Sequence, residues 1–458
     1  MGAVNTTAPS THRGPYKNGR ATRQQIVDAS SALFARHGYT GASLREIARE
    51  VGVTPSALNR HFAGKSDLLL AVLDQWVTNT AEVVEDAGMG HGVSYFLGLV
   101  PLMGYHVEHP GLIELFLTIC AEAGNEEHPA REWTRQRYAR TVAVAAEELR
   151  VAAVRGDARE MTASARTSEI RRLFALMDGL ELQWIARPEL DLVATFAAAL
   201  SRTLRRWGVD VPLMPPPPPT PLRARSDAGS SVVAPVDGST RDGSTHDGMS
   251  RGPYRNGVER RERILEEAGR VFARRGYAGT SLREVADRVG VTGAAILRHF
   301  GSKDGLLLAV LERWDASNST AQGIRIRTGN ALLDAFPAVI AGHPDHPGFV
   351  ELLLTVATEA SDPTHPARDW VADRYDRIVA DMMQQLERAS VEGDVRAMSA
   401  AAREFEARCL YAVMDGLELQ WIADPGVDLV GLFEEHFSAT VEAWLAPAER
   451  VARVPEAT

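Results

Sequence analysis

An all-α architecture, built twice, is what this 458-residue sequence predicts, and three observations predict it. Apolar residues recur at helical intervals: Ile26, Ala29, Leu33 and Phe34 share one face, and Leu173, Leu176, Met177, Leu180 and Trp184 share another. No stretch of useful length alternates apolar and polar residues as a half-buried strand would. Finally, the chain repeats itself over whole-domain lengths, and both sets of apolar positions return, as Ile264, Ala268, Val271 and Phe272 and as Leu410, Val413, Met414, Leu417 and Trp421.

The duplication fixes the domain plan. RGPYKNG at 13 returns as RGPYRNG at 251, GASLREIAREVGV at 41 as GTSLREVADRVGV at 279, and HPAREWTRQRY at 128 as HPARDWVADRY at 365, while DGLELQW occurs unchanged at 178 and 415. The offset is 238 early and 237 later, so one residue is lost between Trp314 and His346. Between the copies, residues 212–250 open on PLMPPPPPTP and continue rich in Gly, Ser, Asp and Thr. This composition predicts a disordered tether with a stiff polyproline start. The expected plan is a basic arm (1–19), a first head (20–67), a first helical body (68–211), the tether (212–250), a second head (251–305) and a second body (306–458).

Within each head the helix signals come in a fixed order. Ser43-Leu44-Arg45-Glu46 is a capping box, repeated as Ser281-Leu282-Arg283-Glu284. A short helix follows with Leu44, Ile47, Ala48 and Val51 inward, and Gly52 permits the left-handed turn that ends it. Thr54 caps the next helix, and Pro55 suits its first position because that N–H needs no partner. Helix, glycine turn and capped helix make a helix-turn-helix. On the second helix Leu58 and Phe62 face inward, one turn apart, leaving a short, polar, positive face of Pro55, Ser56, Asn59 and Arg60.

Net charge is −10, which on its face disfavours a polyanionic partner, but the charge is unevenly placed. Arg13–Asp67 holds nine Lys/Arg against four Asp/Glu, and Arg251–Asp304 twelve against seven, so two basic islands sit in an acidic body. A helix-turn-helix face of this kind enters the DNA major groove, its N-terminal residues at base edges and the flanking cations on phosphates. The candidate DNA contacts are Lys17, Arg20, Ser43, Thr54, Pro55, Ser56, Asn59, Arg60, His61 and Lys65 in the first copy. In the second they are Arg255, Ser281, Thr292, Gly293, Ala294, Leu297, Arg298, His299 and Lys303. Lys65 is expected on a phosphate, and the arm with Arg13, Lys17 and Arg20 along the backbone or in the minor groove.

Cys120 and Cys409 do not occupy equivalent positions, which speaks against a shared disulfide or metal framework and for a reducing, cytoplasmic setting. No apolar run approaches a bilayer span, and the first residues lack the apolar core of a signal peptide. His106, His109 and His128 recur as His343, His346 and His365, five of the six before proline, and read as loop structure rather than metal ligands. No catalytic constellation stands out, so neither an enzyme nor a cofactor is expected. Glu122, Trp133 and Tyr138, with Glu359, Trp370 and Tyr375, recur beside apolar helices and are candidates for lining a ligand pocket.

GYTGASLREIAREVGVTPSALNRHFAGKSDLLLAVL and GYAGTSLREVADRVGVTGAAILRHFGSKDGLLLAVL each resemble the N-terminal domain of the TetR/AcrR family of transcriptional regulators, with its three helices, GV-T turn, HF pair and following lysine. The resemblance implies two tandem units, each a DNA-binding head on a helical ligand-binding and dimerisation domain. It implies that Arg171–Ile185 and Leu190–Trp207 form half of a four-helix bundle, with Arg408–Ile422 and Val427–Leu445 the other half. Family members are usually single-copy homodimers, whereas here the second copy is built in. The position before Arg60, commonly tyrosine in the family, is Asn59, with Leu297 as its counterpart. The expectation is a ligand-responsive repressor acting as an intramolecular pseudo-dimer on an operator with two unlike half-sites. The alternatives are a homodimer with four heads, or a ligand-sensing or protein-interaction module with weakened DNA binding.

Overall fold

The computed structural model describes residues 15–86, 90–223, 253–321, 340–343 and 347–445. Among these the secondary structure is helical, apart from one isolated bridge between Val395 and Leu445. In the first unit the helices are α1 (Pro15–Gly41), α2 (Leu44–Val51), α3 (Pro55–Leu58), α4 (Lys65–Asp86), α5 (Val93–Leu97), α6 (Leu99–Glu108), α7 (Pro110–Glu122), α8 (Arg131–Val154), α9 (Ala163–Ala186) and α10 (Leu192–Arg206). In the second they are α11 (Pro253–Gly279), α12 (Leu282–Val289), α13 (Gly293–Phe300), α14 (Lys303–Ala321), α15 (Pro347–Glu359), α16 (Arg368–Glu392), α17 (Ala400–Ala423) and α18 (Leu429–Trp444).

Each head closes on the side chains its apolar spacing selects. Ile26, Phe34, Ile47, Leu58, Phe62 and Leu69 are buried in the first, and Ile264, Phe272, Val285, Ile296 and Leu307 in the second. Both α1 and α11 bend sharply near their ends, at Gly38 (φ 64°) and Gly276 (φ 64°), a conformation that only glycine adopts without strain. The bend lies within each head and turns the chain from α1 into α2 and from α11 into α12.

The two units meet along a pseudo-two-fold centred on DGLELQW, and every polar position of that motif has a function in the structure. Asp178 accepts from the Tyr138 hydroxyl (2.9 Å), as Asp415 does from Tyr375 (2.9 Å). Glu181 bonds the His106 ring (2.6 Å), as Glu418 bonds His343 (2.5 Å). Gln183 crosses to the other unit and donates to the Arg408 carbonyl (2.9 Å), while Gln420 donates to that of Arg171 (2.9 Å). At the glycines α9 and α17 touch backbone to backbone: a Cβ on Gly179 would lie 1.9 Å from the Ala412 carbonyl oxygen, and one on Gly416 would lie 2.0 Å from that of Ala175. Four residues of the motif therefore tie two body helices and the opposite unit to one strip of α9 or α17.

Contact between the units is wider than a bundle of the last two helices. The α9–α17 crossing dominates, α7 packs on α15, and the ends of α1 and α11 meet where Gly41 faces Ala278 and Gly279 faces Thr40. The tether also departs from expectation. Residues 212–223 are an extended strap laid across the junction, and the remainder to 250 lies outside the described residues. The strap is held by polar bonds that its proline-rich composition does not announce. Met214 N–H donates to Ser201 (3.1 Å), Thr220 N–H to the Glu404 carboxylate (3.0 Å) and Arg223 N–H to Asp376 (2.8 Å), while Arg187 donates to the Pro221 carbonyl (2.8 Å).

His109, His128 and His365 lie at helix breaks as their prolines predict, and His346 lies outside the described residues. His106 lies within α6, and His106, His128 and His343 are buried, each beside a glutamate. Among the described residues no cluster of three or more His, Cys, Asp or Glu is placed to hold a metal, and no helix is long and apolar enough to cross a membrane.

Candidate nucleic-acid interface

In both heads the turn is built as its residues dictate. Ser43 Oγ accepts from Glu46 N–H and Ser281 Oγ from Glu284 N–H, each at 3.2 Å. The returning half of the capping box is not what the glutamates make: Glu46 lies 3.9 Å from Arg49, and Glu284 pairs with Arg275 at 3.1 Å and Arg288 at 3.8 Å. Gly52 (φ 73°) and Gly290 (φ 72°) end α2 and α12 in the left-handed region. Thr54 and Thr292 then cap the following helices through the N–H groups of Ala57 (3.1 Å) and Ala295 (3.2 Å).

The outward faces differ in shape as well as in chemistry. Unit one has a single α-helical turn, Pro55–Leu58, after which Arg60 and His61 bond the carbonyls three residues back at 3.2 and 2.9 Å. Unit two has a full α-helix to Phe300, closed by Gly301 (φ 73°), whose N–H reaches the Leu297 carbonyl at 2.8 Å. The residue in Gly301's place in unit one is Ala63, which has no ready access to that conformation. Pro55, Ser56, Asn59 and Arg60 are exposed in one head, and Ala294, Leu297 and Arg298 in the other. Gly293, His61 and His299 are partly covered. Leu297 is 45% exposed. The guanidiniums of Arg23 and Arg261 lie over the rings of Phe62 (4.8 Å) and Phe300 (5.3 Å), at the base of each helix.

Lys65 and Lys303 are not free side chains: their ammonium groups sit over the rings of Tyr39 (4.4 Å) and Tyr277 (4.2 Å), and Lys65 also donates to the Thr40 carbonyl (3.2 Å). Burial lowers both from the ordinary lysine value, opposed by Glu122 at Lys65 and by Glu359 at Lys303. Arg20 is exposed on α1, the backbone of Lys17 and Arg255 is helical, and the side chains of those two, with all of Arg13, lie outside the described residues.

The pocket candidates divide. Glu122 and Glu359 belong to the hinge: they accept from the N–H groups of Tyr39 (2.7 Å) and Tyr277 (2.9 Å), directly after the Gly38 and Gly276 bends, with His128 and His365 at 3.5 and 3.6 Å. Burial pushes Glu359 above the usual carboxylate range, against the pull of His365. Their repetition in the sequence marks them, but only the bend reveals what they hold. Tyr138 and Tyr375 lie deep in the bodies on their aspartates. Trp133 stands edge-on to Trp76 (6.3 Å), which stacks on Phe116 (4.7 Å), and Trp370 packs partly buried on the core.

Comparisons with known proteins agree with this geometry. The signature of "Bacterial regulatory proteins, tetR family" matches residues 26–72 and again 264–310. A helix-turn-helix transcriptional repressor of Streptomyces coelicolor is 32% identical over 124 residues, which is 27% of this chain and 62% of that protein. A helix-turn-helix transcriptional regulator of Staphylococcus aureus is 30% identical over 115 residues, 24% of this chain and 59% of its own length. The chain thus spans about three fifths of these curated relatives. Among solved structures, a transcriptional regulator from Saccharomonospora viridis in complex with choline is 27% identical with a TM-score of 0.36, the match covering 40% of this chain and 96% of that one. The matched family and relatives are transcriptional regulators, not enzymes. The N-terminal domain of the TetR family of bacterial regulatory proteins is thus present twice in this chain.

Proposed function

We propose that the chain is a DNA-binding transcriptional repressor in which the two units pair within one molecule, so that two unlike heads read an operator with two unlike half-sites. The observation that carries this reading is the pair of exposed faces at α3 and α13, built on the same capped turn and differing where bases are met. Ser56 and Asn59 offer hydrogen bonds to base edges, whereas Ala294 and Leu297 suit thymine methyls, with Arg298 as the polar contact. Half-sites about one helical turn apart, ~34 Å, or a multiple of it, fit such a pair.

Control by a small-molecule effector fits the same plan. The body core keeps Tyr138, Asp178, Glu181 and His106 in one buried polar group, and Tyr375, Asp415, Glu418 and His343 in another. Helix α7 runs from the body to Glu122 at the head hinge, and α15 to Glu359, so a rearrangement around either group bears on the angle of its head. Selection of binding sites from random DNA tests the operator reading. Two dissimilar half-sites are expected, and a perfect palindrome as the best site would overturn it. Light scattering on the DNA complex should give one chain per operator, and binding should weaken steeply with salt.

A further inference from the structure

Resting on the pairing of units proposed above, we infer that the junction is charge-matched, so that unit one selects unit two and rejects a second copy of itself. The centre of the junction is symmetric, with Gly179 against Gly416 and Gln183 and Gln420 in equivalent bonds. Its flanks are not. Arg187, 2% exposed, pairs with Asp376, 5% exposed. Arg172 pairs with Glu435, and Arg202 lies 2.6 Å from Glu406. In all three pairs the cation comes from unit one and the acid from unit two.

The repeat offset shows what the other pairings would meet. The counterparts of Arg172, Arg187 and Arg202 in unit two are Cys409, Asp424 and Ala439, and those of Asp376 and Glu435 in unit one are Ala139 and Ala198. Pairing unit one with itself would set the buried Arg187 against Ala139 and Arg172 against Ala198. Across the junction only Arg202 would find an acid, Glu169, the counterpart of Glu406, while Arg172 and Arg187 would keep only Glu169 (3.0 Å) and the exposed Glu189 (3.2 Å) of their own unit. Pairing unit two with itself would set Asp424 against Asp376 and leave Glu406 and Glu435 without a cation from across the junction. A buried charge that loses the acid across the junction, as Arg187 would lose Asp376, is unfavourable, and more so where Asp424 would meet Asp376, so mismatched pairings are disfavoured even though the glycine crossing would fit them equally well. The strap adds to the bias, because Thr220 N–H reaches Glu404, whose counterpart is Thr167, and Arg223 N–H reaches Asp376.

The test uses the full chain with a protease site placed within residues 224–250, cut after folding, and follows whether the halves stay together on dilution. In the uncut-sequence background they should remain a one-to-one pair, with no pairs of like halves. Asp376→Arg should speed their separation about 100-fold or more, and Arg187→Asp with Asp376→Arg should recover most of that loss. Glu435→Arg, at an acid that is 62% exposed, repeats the test where a folding defect is least expected, with a smaller gain in separation rate. Like-with-like pairs after cutting, or unchanged separation in both Asp376→Arg and Glu435→Arg, would overturn the charge-matching while leaving one-chain pairing intact. Wild-type halves that never associate would remove the pairing itself.

Discussion

The two units share a skeleton and differ at their tips. At the crossing of α9 and α17 the copies are interchangeable: the same seven-residue motif recurs, and its glutamine makes the same bond to the opposite unit in both directions. At α3 and α13 the copies share the threonine caps, the glycine turns, an inward aliphatic residue (Leu58, Ile296) and the Arg-His-Phe that follows, while Pro55, Ser56 and Asn59 against Gly293, Ala294 and Leu297, and even the length of the helix, diverge. Positions that answer to packing are held equal, and positions that answer to solvent or to a partner are not. The largest expected effect therefore lies where the units are alike. Gly179→Ala and Gly416→Ala each force a methyl into a carbonyl oxygen of the facing helix, and each should cost about 3 kcal/mol or more in denaturant unfolding. Unequal costs would mean that the crossing is less symmetric than its geometry.

The buried aspartates sharpen the comparison through pH. Burial first, and Glu418 next, hold Asp415 up at about 7, and burial and Glu181 likewise raise Asp178 well above the carboxylate range. Below the unfolded value of 3.8 for Asp415 the carboxyl is neutral in both states, and no penalty exists. As pH rises towards 7 the unfolded chain gives up its proton first, so folding loses stability, on the order of 4 kcal/mol in all, and the deficit is constant above that. Asp415→Asn keeps an acceptor for Tyr375 and should flatten this slope, leaving the variant the more stable form at pH 8 and equal to wild type near pH 4. Asp178→Asn should do the same in unit one. Chemical denaturation at a series of pH values checks both, and an unchanged slope would show the aspartates ionised in place.

Exchange of the outward residues probes where the copies differ. Leu297→Asn should shift the base preferred by head two, and Asn59→Leu that preferred by head one. The expected size is about 1–3 kcal/mol per affected base pair, with little change in unfolding, since both side chains are exposed. Binding-site selection on each variant should alter one half-site and spare the other. A change in both half-sites, or in neither, would break the assignment of one head to each.

Much of this was legible beforehand, for reasons that can be stated residue by residue. Ser43, Gly52, Thr54 and Pro55 act on their own backbone, so local sequence suffices to place α2 and α3. Ile47, Leu58 and Phe62 follow from helical spacing. What sequence alone did not disclose depends on neighbours distant along the chain. Lys65 is drawn to Tyr39 and Thr40, Glu122 to a bend 83 residues earlier, and the strap's amides to acids of the other unit. DGLELQW stood out by its repetition, but its partners, Tyr138, His106 and Arg408, become visible only when helices separated in sequence are brought together.

The smallest effect concerns the ends of α3 and α13, where Gly301 and its counterpart Ala63 accompany a difference in length. Gly301 closes α13 with φ 73°, and an alanine there keeps the closing bond to Leu297 only by entering a strained region, or lets the last turn fray towards the tighter winding of unit one. Gly301→Ala should therefore cost about 1 kcal/mol and quicken hydrogen exchange at the Gly301 amide, with no effect on α3. The reverse change, Ala63→Gly, should not lengthen α3 by itself. Asn59 remains a poorer helix former than Leu297, and the Ala63 N–H is already taken by Asp67 at 2.9 Å, where it helps to start α4. If Ala63→Gly alone converts the first helix into a match for the second, the difference between the heads rests on that single residue. If Asn59→Leu is needed as well, the same exposed side chain proposed to meet bases also sets the helix that carries it.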